Sequence, residues 1–423
     1  MTAPLLLKNV VHNKQTSDIL IENGVFSRID NCIAPFDGCR TVDCRGNLAI
    51  SPAFYNTHTH AAMTLLRGYA DDMELFNWLQ NFIWPIEAKL TPHDIYIGSK
   101  LAMLEMIRSG TVFFNDMYWY PMETIKAAQE MKMRAAVGML FLSGSDPELE
   151  AKNNAVNAEL EAGRKNIEAD GRICLTLAPH AIYSVSREKL AFAADKAHRE
   201  NYYLHIHLAE TRTEKEDCLK KYNMTPAEYL HSIDFLTDRT LLAHSLYLER
   251  SDMELIKRQG AHISYIPCSN MKLGSGSFHY QEVVEEFGCD ITIGTDGAAS
   301  NNNLSMFEEM KFAALGAKRQ AHDPEVANAV DIFRAATRHG AEAFGINGGV
   351  IEVGKVADCL LIDLDNPFMV PDYNFTANMV YSADSSCIDS VICGGDILML
   401  HKFIDGEKEI LQAARECCRR LNK

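Results

Sequence analysis

The stretch Asn56-Thr57-His58-Thr59-His60 decides how the rest of the chain is read. It follows an apolar run, Leu48 to Phe54, interrupted only by Ser51 and Pro52, which predicts a buried strand. Side chains on a strand alternate faces, so His58 and His60 point the same way and can grip one metal ion from one wall. Taken alone, a His-x-His of this kind reads as well as an exposed turn. Its weight comes from what lies further along the chain.

Downstream, strand signals alternate with helical ones. The candidate strands are Ala49–Thr57, Thr111–Asp116, Arg134–Phe141, Ile173–His180, Tyr202–Leu208, Thr240–His244, His262–Pro267 and Ile291–Asp296. Between them, Asp94–Ser109 carries apolar residues at helical spacing and stops at Gly110. Ser186–Glu200 and Ser251–Gly260 behave in the same way, and Ser300–Lys318 opens on a Ser/Asn cap cluster. Eight strands alternating with helices over about 290 residues predict an α/β chain folded as a (β/α)₈ barrel. A doubly wound open sheet is the alternative. Against it, the early strands are followed by neither a GxGxxG nor a GxxxxGK[ST] turn.

Both ends read as β structure. Leu5–Leu7, Asp18–Ile21 and Val25–Ile29 are short strands with the turn Glu22-Asn23-Gly24 between the last two. Cys359–Asp363 and a hairpin around Gly394-Gly395 match them at the other end, and Glu407–Leu421 predicts a surface helix. Neither end is large enough to bury a core alone. The expected organisation is one small β-sandwich domain built from residues 1–52 and 349–423, with the barrel over residues 53–348.

Composition sets the outer limits. The chain has 423 residues, 47% hydrophobic and 23% charged, with net charge −16 at pH 7. Phosphate-backbone binding needs clustered Lys and Arg, so no nucleic-acid partner is expected. No run of about 18 apolar residues predicts a membrane span, and the N-terminus lacks the pattern of a signal peptide. The 12 cysteines are scattered, several of them in apolar runs (Cys174, Cys268, Cys289, Cys359, Cys393), with no CxxC pair. They read as reduced thiols of a cytoplasmic protein.

Barrel enzymes carry their chemistry at the C-terminal ends of the strands. Here five strand ends are polar: His58 and His60, Pro179-His180, His207-Leu208-Ala209-Glu210, Ala243-His244 and Gly294-Thr295-Asp296. Singly, each could be a satisfied core or surface residue. Five in register need a reason, because buried polar groups are costly unless paired or bound to metal. Three imidazoles (His58, His60, His207) and one carboxylate (Asp296) suit a borderline divalent cation, with Zn²⁺ the default and Fe²⁺ or Mn²⁺ open. Such an ion lowers the pKa of bound water from about 15.7 to about 7. Glu210 is then close enough to shuttle protons, and His244 to hydrogen-bond the attacking oxygen. His205 shares a strand face with His207 and is expected to fill a lower layer of the barrel.

These motifs, with Gly354-Lys355-Val356-Ala357-Asp358 returning into the small domain, resemble the amidohydrolase superfamily over nearly the whole chain. The resemblance implies a distorted (β/α)₈ barrel with a metal. Since no lysine stands at the fourth strand, where His180 does, it implies a single ion. Within that superfamily, His58–Glu87, His207–Thr211, Ser269-Asn270-Met271-Lys272-Leu273 and Gly294–Asn301 resemble the S-adenosylhomocysteine/5′-methylthioadenosine deaminases. That implies hydrolytic loss of ammonia from an adenine nucleoside. Glu210 would protonate the ring, and His244 and Asp296 would manage the water proton. The resemblance further implies that Trp78, Glu87 and His180 bind substrate, with Glu87 on the ribose hydroxyls, and that the protein is a homo-oligomer.

Departures such as Tyr265-Ile266-Pro267 ahead of Ser269 leave other readings open. They are a guanine, 8-oxoguanine or pterin deaminase, a triazine chlorohydrolase and, from another class, a catalytically dead assembly protein. Arg164 or Arg172 is a candidate for a carboxylate on the 5′ substituent.

Overall fold

The computed structural model describes residues 3–73, 75–143 and 147–422. Two eight-stranded sheets organise the chain. The first takes β1 (Leu5–His12), β2 (Gln15–Glu22), β3 (Val25–Asp30), β4 (Arg40–Asp43) and β5 (Leu48–Pro52) from one end. From the other it takes β14 (Cys359–Asp363), β15 (Ile388–Cys393) and β16 (Asp396–Met399). The order is β16-β15-β14-β5-β1-β2-β3, with β4 also pairing β1. The two ends meet where β14 lies antiparallel to β5, Cys359 opposite Pro52 and Asp363 opposite Leu48. Leu5, Leu7, Ile19, Ile21, Phe26, Cys359, Leu361 and Ile392 pack into one core cluster. Neither end carries enough apolar surface to make that core by itself.

The second sheet is the barrel: β6 (Phe54–Thr59), β7 (Thr111–Asp116), β8 (Arg134–Phe141), β9 (Ile173–Pro179), β10 (Tyr203–Leu208), β11 (Thr240–His244), β12 (His262–Tyr265) and β13 (Ile291–Ile293). Neighbours run parallel and in sequence order. The barrel closes through the backbone N–H groups of Thr295 and Asp296, both donating to the His58 carbonyl at 3.0 Å. Helices separate the strands. One of them, Pro92–Arg108, is started by a capping box between Thr91 and Asp94 with Pro92 in its first turn.

The run Leu48–Phe54 is not one strand. Leu48–Pro52 pairs with β14, and β6 begins at Phe54, so the chain passes from one sheet to the other at Ala53. Pro52 ends the outer strand, where its missing N–H costs no ladder bond. The eighth strand is also shorter than expected, since the chain turns after Ile293 to bring Asp296 inward.

At the other end of the barrel a buried junction joins the two sheets. Asp358 Oδ2 accepts the Tyr55 hydroxyl at 2.8 Å and Arg134 Nε at 2.9 Å, while Oδ1 accepts the Gly394 N–H at 2.6 Å. The last helix, Glu407–Leu421, buries the stripe Ile410, Ala414, Cys417, Leu421 against Pro92–Arg108 and the turn Ala61–Leu66. Arg420 pairs with Asp94 there. Among the described residues no helix is long and apolar enough to cross a membrane.

Candidate active site

All the strand-end residues singled out above meet at one end of the barrel. His58 is the hub. Ligand atoms of His58, His207 and His244 lie within 4.8 Å of one another, as do those of His58, His60 and Asp296. Asp296 Oδ1 is 3.2 Å from His60 Nε2 and 3.5 Å from His58 Nε2. The two strands can approach this closely because Gly294 has no side chain. A Cβ there would come within 2.8 Å of His58 Cβ and 2.9 Å of the His58 nitrogen.

The backbone is bent to aim these groups. Ala209, His244, Ser245 and Asp296 all hold positive φ, from 48° to 69°, without being glycine. Left-handed backbone costs a non-glycine residue of order 1 to 3 kcal/mol. Its concentration at three strand ends means the surrounding structure imposes it.

The imidazoles are fixed from behind through Nδ1. Those of His60 and His207 donate to the carbonyls of Met117 (2.5 Å) and His180 (2.7 Å). A carbonyl only accepts, so both rings carry a proton on Nδ1, and Nε2 is the nitrogen a cation would meet. His58 Nδ1 lies 2.8 Å from His205 Nε2, and His58 Nε2 is buried with no hydrogen-bond partner among the described residues. An orphaned buried imidazole nitrogen beside two further Nε2 atoms and a carboxylate has the makings of a cation site.

The electrostatics agree. Burial pushes His58 down to about 4, and burial with the neighbouring imidazoles pushes His207 well below its usual value. Burial raises Asp296, and the neighbouring imidazoles of His58 and His60 then bring it well below the carboxylate range. Burial would lower His60, but its bond to Asp296 lifts it to about 9. Without a cation, then, a proton between His60 and Asp296 is what balances the carboxylate. A divalent ion would take that place.

Glu210 is 7% exposed, with Oε2 3.8 Å from His244 Nε2 and Oε1 3.4 Å from Ser275 Oγ. Burial raises its pKa, favouring the protonated acid. The Ala209 and Glu210 N–H groups both donate to Glu214 at 3.0 Å, which fixes the turn. His180 sits beside His207, ring centroids 4.7 Å apart, with Nδ1 2.7 Å from Ser184 Oγ.

Across from these groups, Glu87 Oε1 accepts the Tyr118 hydroxyl at 2.6 Å, and the Tyr118 ring lies 6.2 Å from that of His60. Trp78 is buried in the core of the same loop, its indole N–H donating to the Ala70 carbonyl at 2.9 Å.

Two arginines lie elsewhere. Arg164 pairs with Glu168 and donates to the Glu200 carbonyl, and Arg172 pairs with Asp396 of the small sheet. Neither is at the C-terminal end of the strands, where the histidines and Asp296 gather.

Several participants escaped the sequence reading. His205 does more than fill a layer, because it holds His58. Asp116 accepts the Ala61 N–H at 2.8 Å and fixes the turn after His60. Tyr118 orients Glu87. The last two follow β7, so applying the strand-end rule to that strand would have found them.

A parallel eight-stranded barrel that gathers imidazoles and a carboxylate at the C-terminal strand ends has the architecture of a metal-dependent hydrolase. The amidohydrolase family model matches residues 49–398, and the chain belongs to that family. It is 43% identical over 378 residues to the 5-methylthioadenosine/S-adenosylhomocysteine deaminase 1 of Archaeoglobus fulgidus, covering 88% of each chain. It is 44% identical over 376 residues to the 5′-deoxyadenosine deaminase of Methanospirillum hungatei, covering 89% of this chain and 83% of that one. The crystal structure of an adenosine deaminase from Xanthomonas campestris with bound zinc superposes with a TM-score of 0.92 at 30% identity, covering 99% and 98% of the two chains.

Proposed function

We propose that this chain is a hydrolytic deaminase of adenine nucleosides. It converts 5′-deoxyadenosine, 5′-methylthioadenosine, S-adenosylhomocysteine or adenosine, with one water, to the inosine analogue and ammonia. The observation that carries the reading is a buried carboxyl, Glu210, and a bare-edged imidazole, His244, set together beside the histidine–aspartate cluster. The names and the 43% and 44% identities of the two relatives support the substrate class.

In this reading His58, His60, His207 and Asp296 hold one divalent ion, most simply Zn²⁺, with Fe²⁺ or Mn²⁺ as alternatives. When bound, the ion supplies a water acidic enough to attack at neutral pH. The protein's own groups do the rest. Glu210, whose carboxyl burial makes easier to protonate, gives a proton to the ring nitrogen next to the reacting carbon and takes back the second proton of the water as the product forms. Asp296 and His244 Nε2 accept the water's proton and return it to the departing amine. Glu87, steadied by Tyr118, accepts the two ribose hydroxyls, while His180 meets the purine edge and Trp78 backs the loop that carries Glu87.

We also propose that residues 1–52 with 349–423 act as a small domain bracing the barrel of residues 53–348. The protein is further read as a cytoplasmic homo-oligomer whose partner is a small nucleoside, with no nucleic acid or membrane involved.

Ammonia release from a panel of adenosine, 5′-methylthioadenosine, S-adenosylhomocysteine, 5′-deoxyadenosine, guanine and 8-oxoguanine tests the reading. Turnover is expected on the 6-aminopurine nucleosides. A zinc-loaded preparation that leaves all of them untouched refutes it.

A further inference from the structure

The segment Ser269-Asn270-Met271-Lys272 has no part in the chemistry described so far. In the fold it forms the short helix Pro267–Lys272 after β12. Both Ser269 and Asn270 are buried, at 0% and 2% exposure. Ser269 Oγ donates to Asp296 Oδ2 at 2.6 Å. The other carboxylate oxygen, Oδ1, accepts the Gly297 N–H at 2.9 Å and faces His58 and His60. Ser269 therefore settles which oxygen of Asp296 turns toward the cluster.

Its neighbour does the same for an imidazole. Asn270 Oδ1 lies 2.7 Å from His244 Nδ1. An amide oxygen only accepts, so this contact places the ring proton on Nδ1 and leaves Nε2 free to accept. That bare nitrogen lies 3.8 Å from Glu210 Oε2. With the amide turned the other way, Nε2 would carry the proton and could only donate. Among the described residues Asn270 Nδ2 has no partner, and the His244 contact is the side-chain bond this buried amide makes. Three more contacts tie the segment down. The Cys268 N–H donates to Glu309 Oε2 at 3.1 Å, Ser275 just beyond reaches Glu210, and Lys272 Nζ is 2.5 Å from Asp71 of the long loop after β6.

We propose that Ser269 and Asn270 are positioning residues for deamination, orienting Asp296 and His244 as the two acceptors of the water proton. The inference rests on the deaminase reading above. Hydrogen-bonding partners behind such groups are worth about 10 to 100-fold in activity or metal affinity.

The test compares wild type, Ser269→Ala, Asn270→Leu and Asn270→Asp, all zinc-loaded. It reads kcat and KM for 5′-deoxyadenosine, zinc content, and the His244 tautomer by long-range ¹H–¹⁵N correlation. Asn270→Leu should lower kcat about 100-fold and Ser269→Ala about 10-fold, with KM and zinc content little changed. Asn270→Asp, which keeps an acceptor and cannot donate, should recover most of the loss. Wild-type His244 should carry its proton on Nδ1, and Asn270→Leu should lose that preference. Full kcat in Asn270→Leu, an Asn270→Asp enzyme as impaired as Asn270→Leu, or a wild-type proton on Nε2 each overturns the assignment. An inactive wild type sinks the deaminase reading instead, and the tautomer measurement then decides the role of Asn270 by itself.

Discussion

Replacing Glu87 with alanine isolates the sugar from the chemistry. The Tyr118 hydroxyl holds Glu87 Oε1 at 2.6 Å and Trp119 also bonds the carboxylate, whose remaining lone pairs can accept a vicinal diol. Hydrogen bonds to a charged group are worth about 1.5 to 3 kcal/mol each. Two of them at the lower figure amount to about 3 kcal/mol, or about 100-fold in kcat/KM. The assay measures kcat/KM of wild type and Glu87→Ala on adenosine and on 2′,3′-dideoxyadenosine, which differ only in the diol. Wild type should prefer the diol substrate by about 100-fold, and the variant should lose that preference while keeping its zinc and its activity on the dideoxy substrate within about 3-fold. Tyr118→Phe should give a smaller loss of the same kind, about 10-fold, because the carboxylate remains but is no longer aimed. An equal fall on both substrates, or a loss of metal, would refute the clamp.

Three other perturbations follow from the same geometry. His205→Phe removes the ring nitrogen that holds His58 Nδ1 and should weaken zinc about 10 to 100-fold in chelator competition, with the fold intact by circular dichroism. Unchanged affinity would return His205 to packing alone. Asp358→Asn leaves the Arg134 guanidinium, 12% exposed, without its counter-charge and should cost about 3 kcal/mol in urea unfolding; a loss under 1 kcal/mol would mean the junction is not what couples the sheets. Glu309 is wholly buried, and burial pushes it up to about 8. The unfolded chain releases this proton near pH 4.3, so between there and about pH 8 the folded state binds more protons and stability falls as pH rises. Wild type should therefore lose about 2 kcal/mol from this group between pH 6 and pH 8, and Glu309→Gln should abolish that slope.

What could be read from the sequence was what a local rule makes visible. Strand alternation and the strand-end rule brought out His58, His60, His180, His207, Glu210, His244 and Asp296, because each follows its own apolar run. The rule was not applied to β7, whose end carries Asp116 and Tyr118, and so the group that aims Glu87 was missed. Contacts such as Ser269 to Asp296 and Asn270 to His244 join a short helix to two strand ends 27 and 26 positions away, and no periodicity encodes them. The break at Ala53 was hidden because both halves of Leu48–Thr59 are buried. Arg164 and Arg172 looked available for a ligand because their carboxylate partners emerge only once the helices and the small sheet have packed.

The clasp between β5 and β14 also bears on how the molecule is made. Pro52 leaves the ribosome about 300 residues ahead of Cys359, which at 5 to 20 residues per second is a wait of about 15 to 60 s. Through that interval β5 has an open apolar edge of the kind that recruits other chains. Nascent-chain yield should therefore depend on holdase chaperones far more than the stability of the finished enzyme would suggest, and slowing translation should worsen the losses.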